Sequence, residues 1–519
     1  MLETGPDSEL IQINPASRRM RAPCGHIGGQ PRTMKEKKQD VPDSLVHALA
    51  RRLGARVVET HISWILLTPG IAYKVKKPVR LPFLDYSTLA RRKRLCAEEV
   101  RVNRATAPSL YLGVARITGS ASGPQIDGNG PVLEYAVRMR RFADGALFSE
   151  RLAAGRLQPA DVDSLAALLA EAHQTAPVRR KGGSRATRPH DRALAALDGA
   201  RPMLLPAQQT YLGRWFDEGA EALGEVWRSR LRSGRVRECH GDLHLANAVE
   251  LDGRAVAFDA IDFDPALRWI DVAEDAAFAA MDFAARGRPD YRWRFLNAWM
   301  DATGEHEAAG VLRYALAYRA LVRVQAEYMR GGRSAQARAY ARAALAWARP
   351  ALPRLVITHG LPGSGKTFAS QRLLEQQGAL RVRSDVERKR LFGLGALESS
   401  QARGLDIYAG DATARTYERL LQLARGILSA GFTAVIDAAF LMRHERDAAR
   451  ALARECGVRF EILHCEAPQP VLHRRLAGRV NDASEADATV LAQLAGAVQS
   501  LGPDEWDAFS TRRLRQRRA

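Results

Sequence analysis

The eight residues Gly360-Leu361-Pro362-Gly363-Ser364-Gly365-Lys366-Thr367 follow the spacing G-x-x-x-x-G-K-[ST], the pattern of a loop that holds phosphate. Glycines let successive backbone N–H groups turn inward around an anion. A helix starting near Lys366 aims the positive end of its dipole at the same point. The Lys366 ammonium then reaches the β- and γ-phosphates of a nucleotide, and the Thr367 hydroxyl binds Mg²⁺. The apolar run Leu355 to Ile357 before the loop and the helical run after it supply the flanking elements that the motif needs. Three features downstream add transfer chemistry. Ser384-Asp385 ends a second strand, where the carboxylate can accept the proton of a substrate hydroxyl, and Arg388, one helical turn on, can hold an anionic group. A helix-capping aspartate is the plainer reading of Asp385, and both can hold at once. Val435-Ile436-Asp437 ends an apolar strand and puts a carboxylate near the Mg²⁺ position. Arg475 and Arg479 share one helix face and can close over the transferring group.

A second constellation precedes this one. His240-Gly241-Asp242-Leu243-His244-Leu245-Ala246-Asn247 reads H-G-D-x-H-x-x-N, and Asp259, Asp262, Asp264 and Asp271 follow. An Asp and an Asn on one loop, then an Asp on a strand, suit one task. The first carboxylate orients a hydroxyl, while the Asn and the later Asp hold Mg²⁺ between phosphates. A zinc set of His240, Asp242 and His244 is the competing reading.

These residues need scaffolds. A chain of 519 residues is too long for one core, so two or three domains are expected. With 46% hydrophobic and 26% charged residues, the composition is that of a soluble globular protein, and no apolar run is long enough to span a membrane. The five cysteines are scattered, which argues against a disulfide framework and favours a reducing cytoplasm. The net charge of +20 raises nucleic acid as a partner, but no recognised nucleic-acid motif accompanies it, and the arginines spread along the whole chain. Residues 1–40 lack an apolar period and read as a disordered leader, with Met34 an alternative start. A domain of residues 41–345 follows. It opens with the helix DSLVHALARRL and two strands, HISWILL and GIAYKVKKPV, around a turn at Thr68-Pro69-Gly70. The helix STLARRKRLCAEEVRVNRAT comes next, then strands YLGVARIT and PVLEYAVRMRRF separated by a Gly/Ser/Asp-rich turn from Gly119 to Gly130. Residues 346–353, with Pro350 and Pro353, form a linker. In residues 354–505 strands alternate with helices, which implies a parallel sheet. Residues 506–519 are a basic tail.

On GLPGSGKT, SDVERKR, VIDAAFL and HRRLAGRVNDASEAD, the C-terminal segment resembles the zeta-toxin, polynucleotide-kinase and chloramphenicol-phosphotransferase branch of P-loop kinases. That likeness implies that Asp385 is the base acting on the substrate hydroxyl. No [NT]-K-x-D element follows the loop, so ATP rather than GTP is the expected donor. The H-G-D-x-H-x-x-N loop resembles that of aminoglycoside phosphotransferase-like kinases, relatives of protein kinases. By that likeness Asp242 is the base, Asn247 is a metal ligand, and Asp259 is favoured over Asp262 as the main metal carboxylate. Such a kinase also needs a strand lysine paired with a helix glutamate. Ile71-Ala72-Tyr73-Lys74 has the right shape, with Lys76 on the same strand face, and Glu98 or Glu99 is the partner. A Gly-rich phosphate loop is not evident before Lys74. The combined architecture resembles the bacterial bifunctional aminoglycoside phosphotransferase/ATP-binding proteins. It implies a two-lobed α+β kinase-like domain joined to an α/β P-loop kinase, each using ATP and Mg²⁺ on small-molecule hydroxyl acceptors. The alternatives are a P-loop kinase regulated by a non-catalytic kinase-like domain, and a polynucleotide 5′-hydroxyl kinase.

Overall fold

The computed structural model describes residues 43–508 except 82–83, 183–187, 408–409 and 480–481. The expected leader, the Met34 start and the tail from residue 509 lie outside the described residues.

The N-terminal half begins with helix Asp43–Leu53 and a six-stranded antiparallel sheet. In spatial order its strands are Arg56–Glu59, Ser63–Leu67, Ile71–Lys76, Val132–Arg140, Tyr111–Ser120 and Gly123–Ile126. The last of these occupies the stretch expected as a plain turn. It forms a short hairpin with the end of Tyr111–Ser120, the two paired through Ile117–Ile126 and Thr118–Gln125. Side chains alternate between the two faces of a strand. Along Ile71–Lys76 this sends Val75 toward helix Asp43–Leu53, in a cluster with Leu45, Leu49, Leu66 and Ala136. Ala72 faces the other way, toward Cys96 and Val100 of helix Leu89–Asn103, and Lys74 and Lys76 share its face by period two. That helix starts at Thr88, whose hydroxyl caps the Arg91 N–H.

A helical layer follows, built on Pro159–Thr175, Val272–Ala285, Pro289–Thr303 and Ala309–Gly331. Between the first two helices lies a small hairpin, Ala248–Leu251 with Arg254–Ala257. It positions the two ends of the H-G-D-x-H-x-x-N region, because Phe258 N–H bonds Asn247 O at 2.9 Å.

The C-terminal half is a four-stranded parallel sheet in the order Leu380–Arg383, Ala434–Asp437, Arg354–His359, Arg459–His464. The phosphate-loop strand is central, so its apolar run Leu355, Val356 and Ile357 is wholly buried, as a strand covered on both faces must be. Helix Ala335–Ala348 runs into the stretch expected as linker. The halves share one core. Trp293, Leu296 and Tyr340 belong to the same buried cluster as Leu355, Leu380, Val382 and Phe432. Trp293 and Trp347 both pack on Phe432, with ring centroids 6.2 Å apart for the two tryptophans and 6.1 Å between Trp293 and Phe432. Among the described residues no helix is long and apolar enough to cross a membrane.

Candidate active sites

The C-terminal loop runs from strand Arg354–His359 into helix Lys366–Leu373. Gly360, Gly363 and Gly365 have φ of +142°, +81° and +97°, the region that favours glycine. At Gly360 space forbids any side chain as well, since a Cβ would lie 2.1 Å from Cys465 O. The Lys366 ammonium is folded back onto the loop and donates to Gly360 O at 2.9 Å and Leu361 O at 3.0 Å. Burial holds its pKa below the ordinary lysine value, with the carboxylates of Asp437 and Asp385 opposing only in part. Asp437 ends its strand in the interior, with Oδ2 accepting from Ser370 Oγ at 3.0 Å.

Lys366, Thr367, Asp385, Arg388, Asp437, Arg475 and Arg479 all line one cavity of about 480 Å³. Asp385 stands in the first turn of helix Ser384–Leu391, and among the described residues its carboxylate accepts no hydrogen bond. The capping reading of Asp385 therefore has no bond behind it; Arg383 stands at the cap position, and its side chain makes no capping bond either. Arg388 is buried and donates to Ile407 O at 2.8 Å and Thr413 Oγ1 at 3.1 Å, so part of its fork serves the fold. Arg475 donates to Gly363 O at 3.0 Å, clasping the phosphate loop from helix Gln469–Ala477. Arg479 donates to Ala486 O and faces Asp482 at 3.4 Å.

A second cavity, of about 360 Å³, lies against the other side of the loop. Its walls include Leu361, Leu472, Val498 and Leu501, together with His359 and Ser364. His359 Nε2 and Ser364 Oγ are buried there without a hydrogen-bond partner among the described residues. Nothing in the motif pointed to His359. Only its place at the end of the phosphate-loop strand could have done so.

In the N-terminal site one glutamate serves both lysines. Glu99 Oε1 lies 2.9 Å from Lys74 Nζ, and Glu99 Oε2 lies 2.5 Å from Lys76 Nζ. Burial pushes the Glu99 carboxyl up, and the two ammonium groups overcome it and hold its pKa at about 2. Glu98 takes the other direction and pairs with Arg101 and Arg268. Each lysine then meets its own aspartate. Lys74 Nζ is 2.5 Å from Asp259 Oδ1, and Lys76 Nζ is 2.6 Å from Asp262 Oδ2. Access separates the two arms. The Lys76 and Asp262 side chains are 1% and 8% exposed and also engage Tyr86, whereas the Asp259 side chain is 46% exposed. Asp259 adopts φ +62°, a strained setting for a residue with a side chain.

The catalytic-type loop is held from beneath. Asp275 accepts the N–H groups of His240 at 3.1 Å and Gly241 at 2.8 Å, and His173 Nε2 lies 3.1 Å from the same carboxylate. Gly241 sits at φ +81°, and a Cβ there would meet Leu267 O at 2.8 Å. Asn247 Nδ2 donates to Asp242 O and Oδ2, which leaves Asn247 Oδ1 without a donor among the described residues. Burial pushes the Asp242 carboxyl up to about 6, with Arg323 opposing and the Asp259 charge adding. The zinc reading fails on the ring nitrogens. His240 Nε2 faces Phe258 O at 2.9 Å, and its Nδ1 accepts from Asp242 N–H, so neither nitrogen is left for a metal. Among the described residues only His173, Cys239 and Asp275 cluster as metal ligands could. There His173 is already held on both nitrogens, by Trp299 Nε1 and Asp275.

The missing glycine loop has a structural counterpart. The turn before strand Ser63–Leu67 is only Thr60-His61-Ile62. It is clasped by Thr60 Oγ1, which accepts from Ser63 N–H at 3.0 Å, and Thr68-Pro69-Gly70 joins the next pair of strands instead.

Three uncharacterized mycobacterial proteins, one from Mycobacterium bovis and two from strains of Mycobacterium tuberculosis, are 29% identical to this chain over 452 residues. The match spans 85% of this chain and 89% of theirs. Among solved structures, a choline kinase from Cryptosporidium parvum is similar at 11% identity and a TM-score of 0.37, covering 57% of this chain and 87% of its own. An aminoglycoside phosphotransferase from Streptomyces rimosus is similar at 17% and 0.33, covering 54% and 96%. A sugar kinase from Janibacter is similar at 22% and 0.24, covering 30% and 82%. Residues 355–501 match the family model of the AAA domain, so the C-terminal part of the chain is an AAA-type P-loop domain.

Proposed function

We propose that the chain is an ATP-dependent phosphotransferase with two nucleotide sites, each passing the γ-phosphoryl group to a hydroxyl of a small molecule. The observation that carries this reading is the C-terminal cavity, where a phosphate loop, the carboxylates of Asp385 and Asp437, and arginines line one volume of about 480 Å³. Phosphate oxygens would replace the carbonyls of Gly360 and Leu361 as partners of Lys366. The second cavity, with Leu361, Leu472, Val498 and Leu501 in its walls, suits the adenine base. Thr367 and Asp437 would hold Mg²⁺, which neutralises phosphate charge when bound. The oxygens of these two residues suit a hard cation. Asp385 would take the proton as the acceptor oxygen bonds the γ-phosphorus and the bond to the β-phosphate oxygen breaks. Arg475 and Arg479 would hold the charge that spreads over the group in flight, and Arg388 an anionic part of the acceptor. In the N-terminal half Asp242 would orient the second acceptor, Asn247 and Asp259 would hold Mg²⁺, and Lys74, steadied by Glu99, would meet the phosphates. This pairing of domains is that of the bifunctional aminoglycoside phosphotransferase/ATP-binding family.

A second reading is favoured by the Thr60–Ile62 turn, which is short and has no glycine. In it the N-terminal half binds ATP without turnover and regulates the P-loop kinase. Mg²⁺-ATP turnover in a metabolite extract separates the two. If Lys366→Ala and Asp242→Ala each remove a different labelled product, both sites transfer. If Lys366→Ala removes all products and Asp242→Ala none, the N-terminal half is regulatory.

A further inference from the structure

Helix Pro289–Thr303 belongs to the N-terminal half yet lies along strand Leu380–Arg383, the outer strand of the P-loop sheet. Asn297 treats that strand as a β-partner would. Its Nδ2 donates to Ala379 O at 2.9 Å, and its Oδ1 accepts Arg381 N–H at 2.6 Å. His306 Nε2 meets Arg381 O at 3.1 Å. The end of the helix gathers arginines from the other half, as the negative end of a helix dipole favours. Arg390 donates to Asp301 O at 2.7 Å, and Gly304 closes the helix so tightly that a Cβ there would sit 2.8 Å from Arg390 Nε. Arg390 stands in the last turn of the helix that carries Asp385.

Asp301 Oδ2 lies 3.4 Å from Arg381 Nη2 and 3.8 Å from Arg383 Nη1. The buried Arg381 guanidinium reaches on to Ser370 Oγ at 3.1 Å, and that hydroxyl lies 3.0 Å from two acceptors, Asp437 Oδ2 and Thr367 O. One cation therefore stands between two carboxylates, Asp301 from one half and Asp437 from the other. Asp301 Oδ1 is buried with no donor among the described residues, a cost that docking two halves does not require.

We propose that Asp301 is a positioning residue of the P-loop site, supplied by the N-terminal half. By holding Arg381 it keeps that cation from neutralising Asp437, so the Asp437 carboxylate stays available to a divalent cation. The site is incomplete without the neighbouring domain. This rests on the reading that Lys366, Thr367 and Asp437 bind Mg²⁺-ATP.

The test uses the full chain and a fluorescent ATP analogue, taking the Lys366-dependent part of binding as the difference from Lys366→Ala. Mg²⁺ is titrated in each variant, and binding without Mg²⁺ is measured alongside. Asp301→Asn is expected to raise the Mg²⁺ needed for half-maximal binding about tenfold, the scale on which a metal site responds to loss of an outer partner. Binding without Mg²⁺ is expected to stay as in wild type, and Asp301→Glu to recover part of the shift. Arg381→Met, which removes the cation itself, should leave the Mg²⁺ requirement no higher than in wild type and make Asp301→Asn add no shift. An unchanged Mg²⁺ requirement in Asp301→Asn, or an equal loss of binding with and without Mg²⁺, overturns the proposal. Should Asp301→Asn not fold, a raised Mg²⁺ requirement in Arg381→Met overturns it instead. Absence of any Lys366-dependent binding in wild type would instead sink the P-loop reading itself.

Discussion

The two candidate sites handle charge in opposite ways. In the C-terminal site the key cation, Lys366, is satisfied only by two backbone carbonyls, and Asp385 accepts no hydrogen bond among the described residues. In the N-terminal site Lys74, Lys76, Glu99, Asp259 and Asp262 neutralise one another almost completely. A phosphate entering the first site displaces neutral dipoles. A phosphate entering the second must break an ion pair between Lys74 and Asp259. Charged residues thus give one site preorganised for an anion and one latched against it. The latched site has two strata: an outer arm, Lys74 with Asp259, that solvent reaches, and an inner arm, Lys76 with Asp262, that it does not.

The widest gap between the sites should appear with Lys366→Ala. ADP release that depends on the P-loop is expected to fall by about 10²–10³-fold, as when a single charge-stabilising donor is lost, while products that depend on Asp242 persist. A fall in both together would mean that the sites are not separate.

Glu99→Gln comes next. The substitution takes from each lysine the carboxylate that the two share, and should cost about 3 kcal/mol in urea unfolding. The glutamate's folded pKa, about 2, lies below its unfolded value. Its contribution is therefore complete above the unfolded value, near 4.5, and disappears as pH falls toward 2. Wild type should lose stability across that window, and Glu99→Gln should lose less. Parallel curves would show that Glu99 is not the group that couples the two lysines.

The smallest effects sharpen the contrast between the arms. Lys76→Met should destabilise the fold by about 1–3 kcal/mol more than Lys74→Met, because only the inner arm strands a buried carboxylate. Lys74→Met should instead weaken ATP binding in the N-terminal half. Equal destabilisation by the two would erase the distinction between a functional and a structural lysine.

Much of this was legible in short spacings. The phosphate loop, the Asp242–Asn247 loop and the lysines two apart on one strand compress their geometry into a few residues, and periodicity places them. The parallel sheet followed from strand and helix alternation. The preference for Glu99 over Glu98 had no sequence signal. It depends on which side of helix Leu89–Asn103 meets the sheet, and both residues lie near that edge. The difference between Asp259 and Asp262 lies in exposure, which tertiary packing decides. Asp301, Asn297 and Arg381 were invisible for another reason. Their contacts join residues about eighty positions apart, and no motif links a helix of one domain to the outer strand of the next.

That last contact bears on how the protein can be made. Synthesis delivers the helix carrying Asn297 before the strand carrying Arg381, so a surface that covers the strand's open hydrogen-bonding edge precedes it. An uncovered strand edge invites pairing between molecules. A shortened protein starting at residue 354 would bare the Ala379 carbonyl and the Arg381 amide, together with the apolar face that Trp293 covers. Aggregation, more than loss of activity, would be the first sign that the two halves had been parted.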